Sequence, residues 1–146
     1  ERLLARDEGT VLVDVRNHKE FLLGHFDEAT DPNTRAFAEF PRYVEATMER
    51  LRGAKQILLY CTGGIRCEKA SAFIRRKLDD DDDDAASKPT VEHLSGGIHR
   101  FLEAFPDGGD VWRGQNYVFD SRLALGGGSP AGRCQECDGA VSKLGG

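Results

Sequence analysis

The sequence predicts an α/β domain with a mainly parallel sheet and helices on both faces. Two observations predict it. Short runs of β-branched and apolar residues, at 10–15 (TVLVDV), 57–60 (ILLY) and 90–94 (TVEHL), have the composition of buried strands. Between and after them lie segments with apolar residues three or four apart, the spacing of amphipathic helices. Alternation of the two builds parallel strands joined by crossover helices. In such sheets the working site lies at the carboxyl ends of the strands, where both Arg16 and Cys61 fall.

Taken in order, residues 1–6 read as the end of a helix, cut off by Asp7 and Gly9. The first strand closes at Arg16 and Asn17. Residues 18–23 (HKEFLL) give one or two helical turns ended by Gly24, and Gly24-His25-Phe26 then leads into a loop through Asp31-Pro32-Asn33. Thr34 is placed to cap a long helix over 35–52, with Phe37, Phe40, Val44, Met48 and Leu51 on one face. Pro41 falls inside that pattern and must kink or split it, and Gly53 stops it. The second strand, a Gly-containing loop from Cys61 and a helix over 67–78 come next.

Residues 79–89 are expected to form a mobile acidic loop, opening with six consecutive aspartates from Asp79 to Asp84. After the third strand, Ser95-Gly96-Gly97 turns the chain into an amphipathic helix over 98–105, ended by Pro106. Residues 117–119 (YVF) read as one more short strand or extended arm. The Gly-rich stretch from Gly126 to Pro130 is a linker. It divides a domain over 1–125 from a tail over 126–146 that is too small for a core of its own.

Of the chain's 146 residues, 39% are hydrophobic and 31% charged, an ordinary soluble composition. No apolar run approaches the roughly 20 residues of a membrane span, so no membrane association is expected. The net charge of −5 comes from one place, because without the aspartate run the rest would carry +1. A balanced body of this kind is not the footprint of a nucleic-acid-binding domain. The four cysteines at 61, 67, 134 and 137 are not spaced as a secreted disulfide framework. They point to reduced, intracellular cysteine chemistry, with the cytoplasm favoured over an organelle. The chain opens at Glu1 without a methionine and is expected to be part of a longer protein.

The chemistry centres on Cys61. A strand, a tight glycine loop (Thr62, Gly63, Gly64, Ile65, Arg66) and a helix point backbone N–H groups at an anion, here the sulfur itself. The helix start and Arg66 should lower the thiol pKa from its usual ~8.5 into the ~3.5–7.5 range. A fall to ~6.5 raises the thiolate fraction at neutral pH about 25-fold. Intrinsic nucleophilicity falls by roughly eightfold over the same interval, so the net gain in attack rate is a few-fold. The cradle is therefore worth more for holding an anionic intermediate such as a persulfide, Cys–S–S⁻. A buried structural cysteine is the alternative, and two glycines and an arginine directly after it argue against that.

Cysteine-dependent phosphatases place five residues between cysteine and arginine, enough to enclose a phosphate. Four intervene between Cys61 and Arg66. This shorter loop resembles that of rhodanese-type sulfurtransferases, sized for a sulfur atom. The resemblance extends to Val13-Asp14-Val15-Arg16, Glu20 and Gly24-His25-Phe26, which look like the early rhodanese pattern. It implies a rhodanese-like fold, with Asp14 and Arg16 bracing the active-site end of the sheet and Glu20 as an ionic partner of Arg16. Four-residue spacing on one turn makes that pair physically cheap.

The blocks DVRN at 14–17, YCTGGIRCEKAS at 60–71, LSGGI at 94–98 and NYVFDSR at 116–122 are together similar to the rhodanese domain of the tRNA uridine hydroxylase family. That resemblance implies oxygen-dependent hydroxylation of the tRNA wobble uridine, with Cys61 as the required cysteine and tRNA as a partner of the full-length protein. The close alternative is a sulfurtransferase that moves sulfane sulfur from a small donor to a thiol acceptor. Further off stands a non-catalytic scaffold that docks a basic partner through its aspartates. The chain departs from the family in lacking a preceding RNA-associated domain and in carrying the aspartate run where a short Gly turn is usual.

Two cysteine readings stay open. Cys67 is either a resolving thiol or second sulfur carrier, or a small residue packed under the loop, since helix-start geometry often points neighbouring thiols apart. Cys134 and Cys137 form a CxxC that supplies half a zinc site, with His93, His99 or further cysteines needed to complete it. His25 and His99 are expected to cap or pack rather than to donate protons. No cofactor is evident, neither flavin nor haem nor iron.

Overall fold

The structure, a computed structural model, describes residues 6–80, 85–117 and 124–126. Its centre is a three-stranded parallel sheet in the order β1-β3-β4, formed by β1 (Thr10–Asp14), β3 (Gln56–Tyr60) and β4 (Thr90–His93). The register sets Val13 opposite Leu59 and Asp14 opposite Tyr60. It also sets Leu59 opposite His93. The strands' apolar runs are continuous because both faces are covered, and the period of two divides them between two cores. Val13, Val15, Ile57 and Leu59 face one way, into a cluster with Phe40, Val44, Leu51, Ala70 and Ile74. Leu12, Leu58 and Tyr60 face the other, against Phe26, Ile98, Phe101 and Trp112.

The first face is covered by α2 (Phe40–Ala46), α3 (Met48–Arg52) and α4 (Ile65–Asp79). The second is covered by α5 (Gly97–Ala104) and by strands of a second sheet. This is the α/β architecture that the sequence predicts. Among the described residues no helix is long and apolar enough to cross a membrane.

Three elements differ from expectation. The long helix over 35–52 is a 3₁₀ turn (Phe37–Glu39) followed by two short helices. Pro41 splits the segment as expected: the 3₁₀ turn ends at Glu39, and Pro41 occupies the first turn of α2, where its fixed φ fits and its missing N–H is not needed. A second break comes at Thr47, which leaves helical geometry (φ −115°, ψ 13°) and turns its hydroxyl back onto the Tyr43 carbonyl at 2.8 Å. Thr34 caps neither helix. Its carbonyl accepts the His18 N–H at 2.8 Å and so ties this segment to the start of α1 (His18–Leu23).

Gly24 ends α1 as expected, but the residues after it form a strand, β2 (Gly24–Phe26), and not a loop. It pairs antiparallel with β5 (Trp112–Tyr117), which in turn pairs with β6 (Ala124–Gly126). β5 reads WRGQNY and has no apolar alternation, so its strand character comes from the partner it meets. A Cβ on Gly24 would stand 2.3 Å from the Gln115 carbonyl oxygen, so only glycine admits this pairing. Of the arm expected over 117–119, the part after Tyr117 lies outside the described residues, as do the helix end before Arg6 and most of the tail.

α4 begins at Ile65, two residues before the apolar stripe signals it, and runs into the aspartates as far as Asp79. Lys88 reaches back to Asp79 at 3.3 Å, and Asp81 to Asp84 lie outside the described residues.

Candidate active site

Cys61 follows the last residue of β3, and Val15 donates its N–H to the Tyr60 carbonyl at 2.9 Å. The sheet thus delivers Arg16 and Cys61 side by side at its carboxyl end. From Cys61 the chain must reverse into α4 within three residues. Gly64 makes the turn in left-handed geometry (φ 96°, ψ −14°), which favours glycine, and donates its N–H to the Cys61 sulfur at 3.0 Å.

The opposite side of the loop is held by α5. Ile98 and His99 donate their N–H groups to the carbonyls of Cys61 and Thr62 at 3.0 and 3.1 Å. A Cβ on Gly97 would lie 2.6 and 2.4 Å from those same oxygens, and Gly97 itself has φ +64°. The Ser95-Gly96-Gly97 turn is therefore part of the site: it lets a helix end approach the loop's carbonyls and leaves the N–H groups for the sulfur.

The side chains around the loop are arranged differently from expectation in one respect. Glu20 is not the partner of Arg16. It accepts both ends of the Arg66 guanidinium, at 2.9 and 3.0 Å, while Arg66 also donates to the Thr62 hydroxyl at 3.1 Å. Asn17 and Glu20 form a reciprocal capping box at the start of α1, so the carboxylate that grips Arg66 is itself fixed. The four-residue spacing failed as a guide because α1 aims Glu20 at the cysteine loop.

Arg16 pairs with Asp14 instead. Its Nε and Nη2 donate to the carboxylate at 3.0 and 2.7 Å, and its backbone N–H joins them at 2.9 Å. Nη2 also reaches the Gly24 carbonyl at 2.6 Å, and the guanidinium lies 5.7 Å from the ring centroids of both Tyr60 and Trp112. Both residues of the pair are fully buried. Arg16 thereby joins the strand end to β2.

Cys67 occupies the first turn of α4, fully buried, and its thiol does not point away from Cys61. Its side chain and its backbone N–H are the first and second largest of the influences that favour the Cys61 anion. These, with the Gly64 N–H that donates to the sulfur, outweigh burial and lower the Cys61 pKa to about 6. The Cys67 side chain is the largest cause, and the Arg66 charge contributes least. At that pKa about 90% of Cys61 is thiolate at neutral pH. The neighbouring Cys61 sulfur, together with burial, pushes the Cys67 pKa up.

The loop's outer face is open. Gly63 is exposed, and a Cβ there would meet no atom within 4 Å, so the fold itself does not require glycine at this position. Ile65 beside it is 76% exposed. Both lie on the exposed side of the loop, whereas Cys61 itself is 1% exposed.

His25 packs as expected: it stacks on Phe21 at 4.1 Å and its Nδ1 meets the Phe21 carbonyl at 2.9 Å. Among the described residues no group of three or more His, Cys, Asp or Glu could hold a metal ion. Cys134 and Cys137 lie outside the described residues.

A parallel-sheet domain that carries a thiolate in a glycine loop at its strand ends defines a class, and comparison with known families agrees. The chain belongs to the Rhodanese-like domain family, whose model matches residues 1–104. It is 46% identical over 137 residues to the tRNA uridine(34) hydroxylase of Brucella canis, a match covering 92% of this chain and 42% of that protein. It is 44% identical over 142 residues to the protein of the same name from Brucella anthropi, covering 95% of this chain and 43% of the relative. The chain thus spans less than half the length of these relatives. Among solved structures, the Rhodanese-like domain of the Anabaena protein Alr3790 superposes with a TM-score of 0.52 at 21% identity, over 99% of this chain and 87% of that one. The yeast Ygr203w structure, described as a protein tyrosine phosphatase of the Rhodanese family, gives 0.52 at 20% identity, over 73% and 77%. At these identities the structural matches speak for the fold alone.

Proposed function

We propose that this chain is the cysteine-bearing domain of a tRNA wobble-uridine hydroxylase, with Cys61 as its nucleophile. The observation that carries the reading is the sulfur's place at the start of α4, where the Gly64 N–H donates to it and its pKa is lowered to about 6, so that the anion is favoured at neutral pH. The identity to proteins named tRNA uridine(34) hydroxylase supplies the substrate class. In this reading Gly63 and Ile65 form the landing surface for the flat face of the uracil ring, Thr62 and Arg66 hold the loop, and the rest of the full-length protein binds the tRNA. The reaction takes place wherever the tRNA is, in the cytoplasm or a tRNA-containing organelle.

The cradle fits a second reading, sulfur transfer from a small sulfane donor to a thiol acceptor, because the same donors would stabilise a Cys61 persulfide anion. One experiment separates the two. Cells lacking the gene are complemented with the full-length protein, wild type or Cys61→Ser, and their tRNA nucleosides are measured by mass spectrometry. Wild type should restore hydroxyuridine derivatives at the wobble position and Cys61→Ser should leave them at background. Wobble nucleosides that do not depend on the gene would refute the hydroxylase reading and leave sulfur transfer.

A further inference from the structure

The loop from Cys61 to Arg66 has a structural duty at every position but one. The carbonyls of Cys61 and Thr62 accept N–H groups from α5, and the Thr62 hydroxyl accepts from Arg66 at 3.1 Å. Gly64 turns the chain in left-handed geometry and donates its N–H to the Cys61 sulfur at 3.0 Å. Ile65 opens α4, and Arg66 fastens that helix to Glu20. Gly63 is the exception. It is exposed, its φ is not positive, and a Cβ added to it would meet no atom within 4 Å.

Glycine is not neutral at such a place. It loses more conformational freedom on folding than any other residue, so keeping it where alanine fits costs stability. That cost is accepted for a left-handed backbone, for a crowded Cβ, or for a ligand that must come close to the main chain. Gly64 answers to the first and Gly97 to the first two. Neither holds at Gly63, which leaves the approach of a ligand.

The position suits that role. The peptide unit joining Gly63 to Gly64 is the one whose N–H donates to the Cys61 sulfur, so Gly63 stands beside the reacting atom. Cys61 itself is buried, α5 closes the carbonyl side of the loop, and its exposed members are Gly63 and Ile65. We propose that Gly63 determines which reactants Cys61 admits. Its missing side chain gives a flat pyrimidine ring room to lie against the main chain within reach of the sulfur, and a side chain there would restrict the site to slender reactants.

The inference rests on the hydroxylase reading, which supplies the ring, and adds the residue that sets its fit. Ring carbons pack about 3.5–4.0 Å from a methyl carbon, so a methyl at position 63 would hold the ring off the main chain. One methyl group too many in a fitted site costs about 10–200-fold. A slender sulfane donor reaches the sulfur end-on and needs no such clearance.

The test labels Cys61 in the full-length protein without tRNA, comparing wild type with Gly63→Ala. Maleimide, a flat imide ring close to uracil in size, adds to the thiolate through its double bond. Methyl methanethiosulfonate is slender and transfers a CH3S group to the sulfur, with sulfinate leaving. Both rates are read at neutral pH on the tryptic peptide 56–66, in which Cys61 is the only cysteine. The two reagents meet the same thiolate, so a change in its pKa does not mimic the effect. In Gly63→Ala, maleimide labelling should fall at least about 10-fold relative to methanethiosulfonate labelling. The midpoint of urea unfolding should stay or rise. An unchanged ratio overturns the proposal, as does a wild type that maleimide does not label. A destabilised Gly63→Ala overturns it as well, because glycine would then serve the fold. The hydroxylase reading stands or fails separately, on whether wobble nucleosides depend on the gene.

Discussion

Replacing Asp14 with alanine should lower the unfolding free energy by about 3–5 kcal/mol, the usual consequence of removing one partner of a buried ion pair. Asp14 and Arg16 are both fully buried, and the carboxylate accepts from the Arg16 backbone N–H, Nε and Nη2. Without it a guanidinium would remain enclosed between Tyr60 and Trp112, with the Gly24 carbonyl as its remaining hydrogen-bond acceptor. Against a total stability of about 5–15 kcal/mol for a domain, such a loss unfolds a large part of the population. Urea denaturation measures it. Asp14→Asn keeps the volume and part of the hydrogen bonding and should lose less. A change under ~1 kcal/mol for the alanine variant would mean that water reaches Arg16.

Arg66→Ala should reduce wobble-uridine hydroxylation by about 100-fold while leaving the Cys61 pKa almost where it was. The two effects separate because Arg66 is the weakest contributor to the thiolate yet the main fastener of the loop. It connects the first turn of α4 to Glu20 through two hydrogen bonds and to Thr62 through a third. Loss of those ties lets the loop shift by an ångström or so, enough to cost roughly two orders of magnitude in a positioned reaction. Arg66→Lys should rescue poorly, since an ammonium cannot bridge both Glu20 oxygens and Thr62 at once. Hydroxylation assays on the full-length variants, paired with thiol titration, read both effects. A fall in activity matched by a large rise in the Cys61 pKa would instead assign Arg66 an electrostatic role.

The sequence and the structure agree most closely where a local pattern suffices. The ILLY run, the glycine pair and the helical spacing after Cys67 define strand, loop and helix without outside help, and the α/β class follows from repeating that alternation. Contacts set by three-dimensional approach were not legible. Nothing local in WRGQNY marks β5 as a strand, because its partner Gly24-His25-Phe26 is almost ninety residues away. The Glu20–Arg66 pair spans 46 residues, and the nearer Arg16 was the more obvious partner. Arg66, conspicuous in sequence as the only charge in the loop, was for that reason credited with an effect that belongs mainly to Cys67.

A titration of Cys61 tests the central claim most directly, that the loop holds this sulfur as an anion. The ultraviolet thiolate absorbance of the wild type minus that of Cys61→Ser isolates this residue and needs no reagent to reach it. Because the folded-state pKa is depressed, the thiolate's contribution to stability is present above the unfolded thiol range of ~8.5 and is lost as the pH falls through the folded value. The difference signal should therefore rise with pH with a midpoint at about 6. In Cys67→Ala the midpoint should move upward, since the side chain that lowers it most is gone. A wild-type midpoint at ~8.5 or above would contradict the account, for it would make the loop a turn and not a cradle.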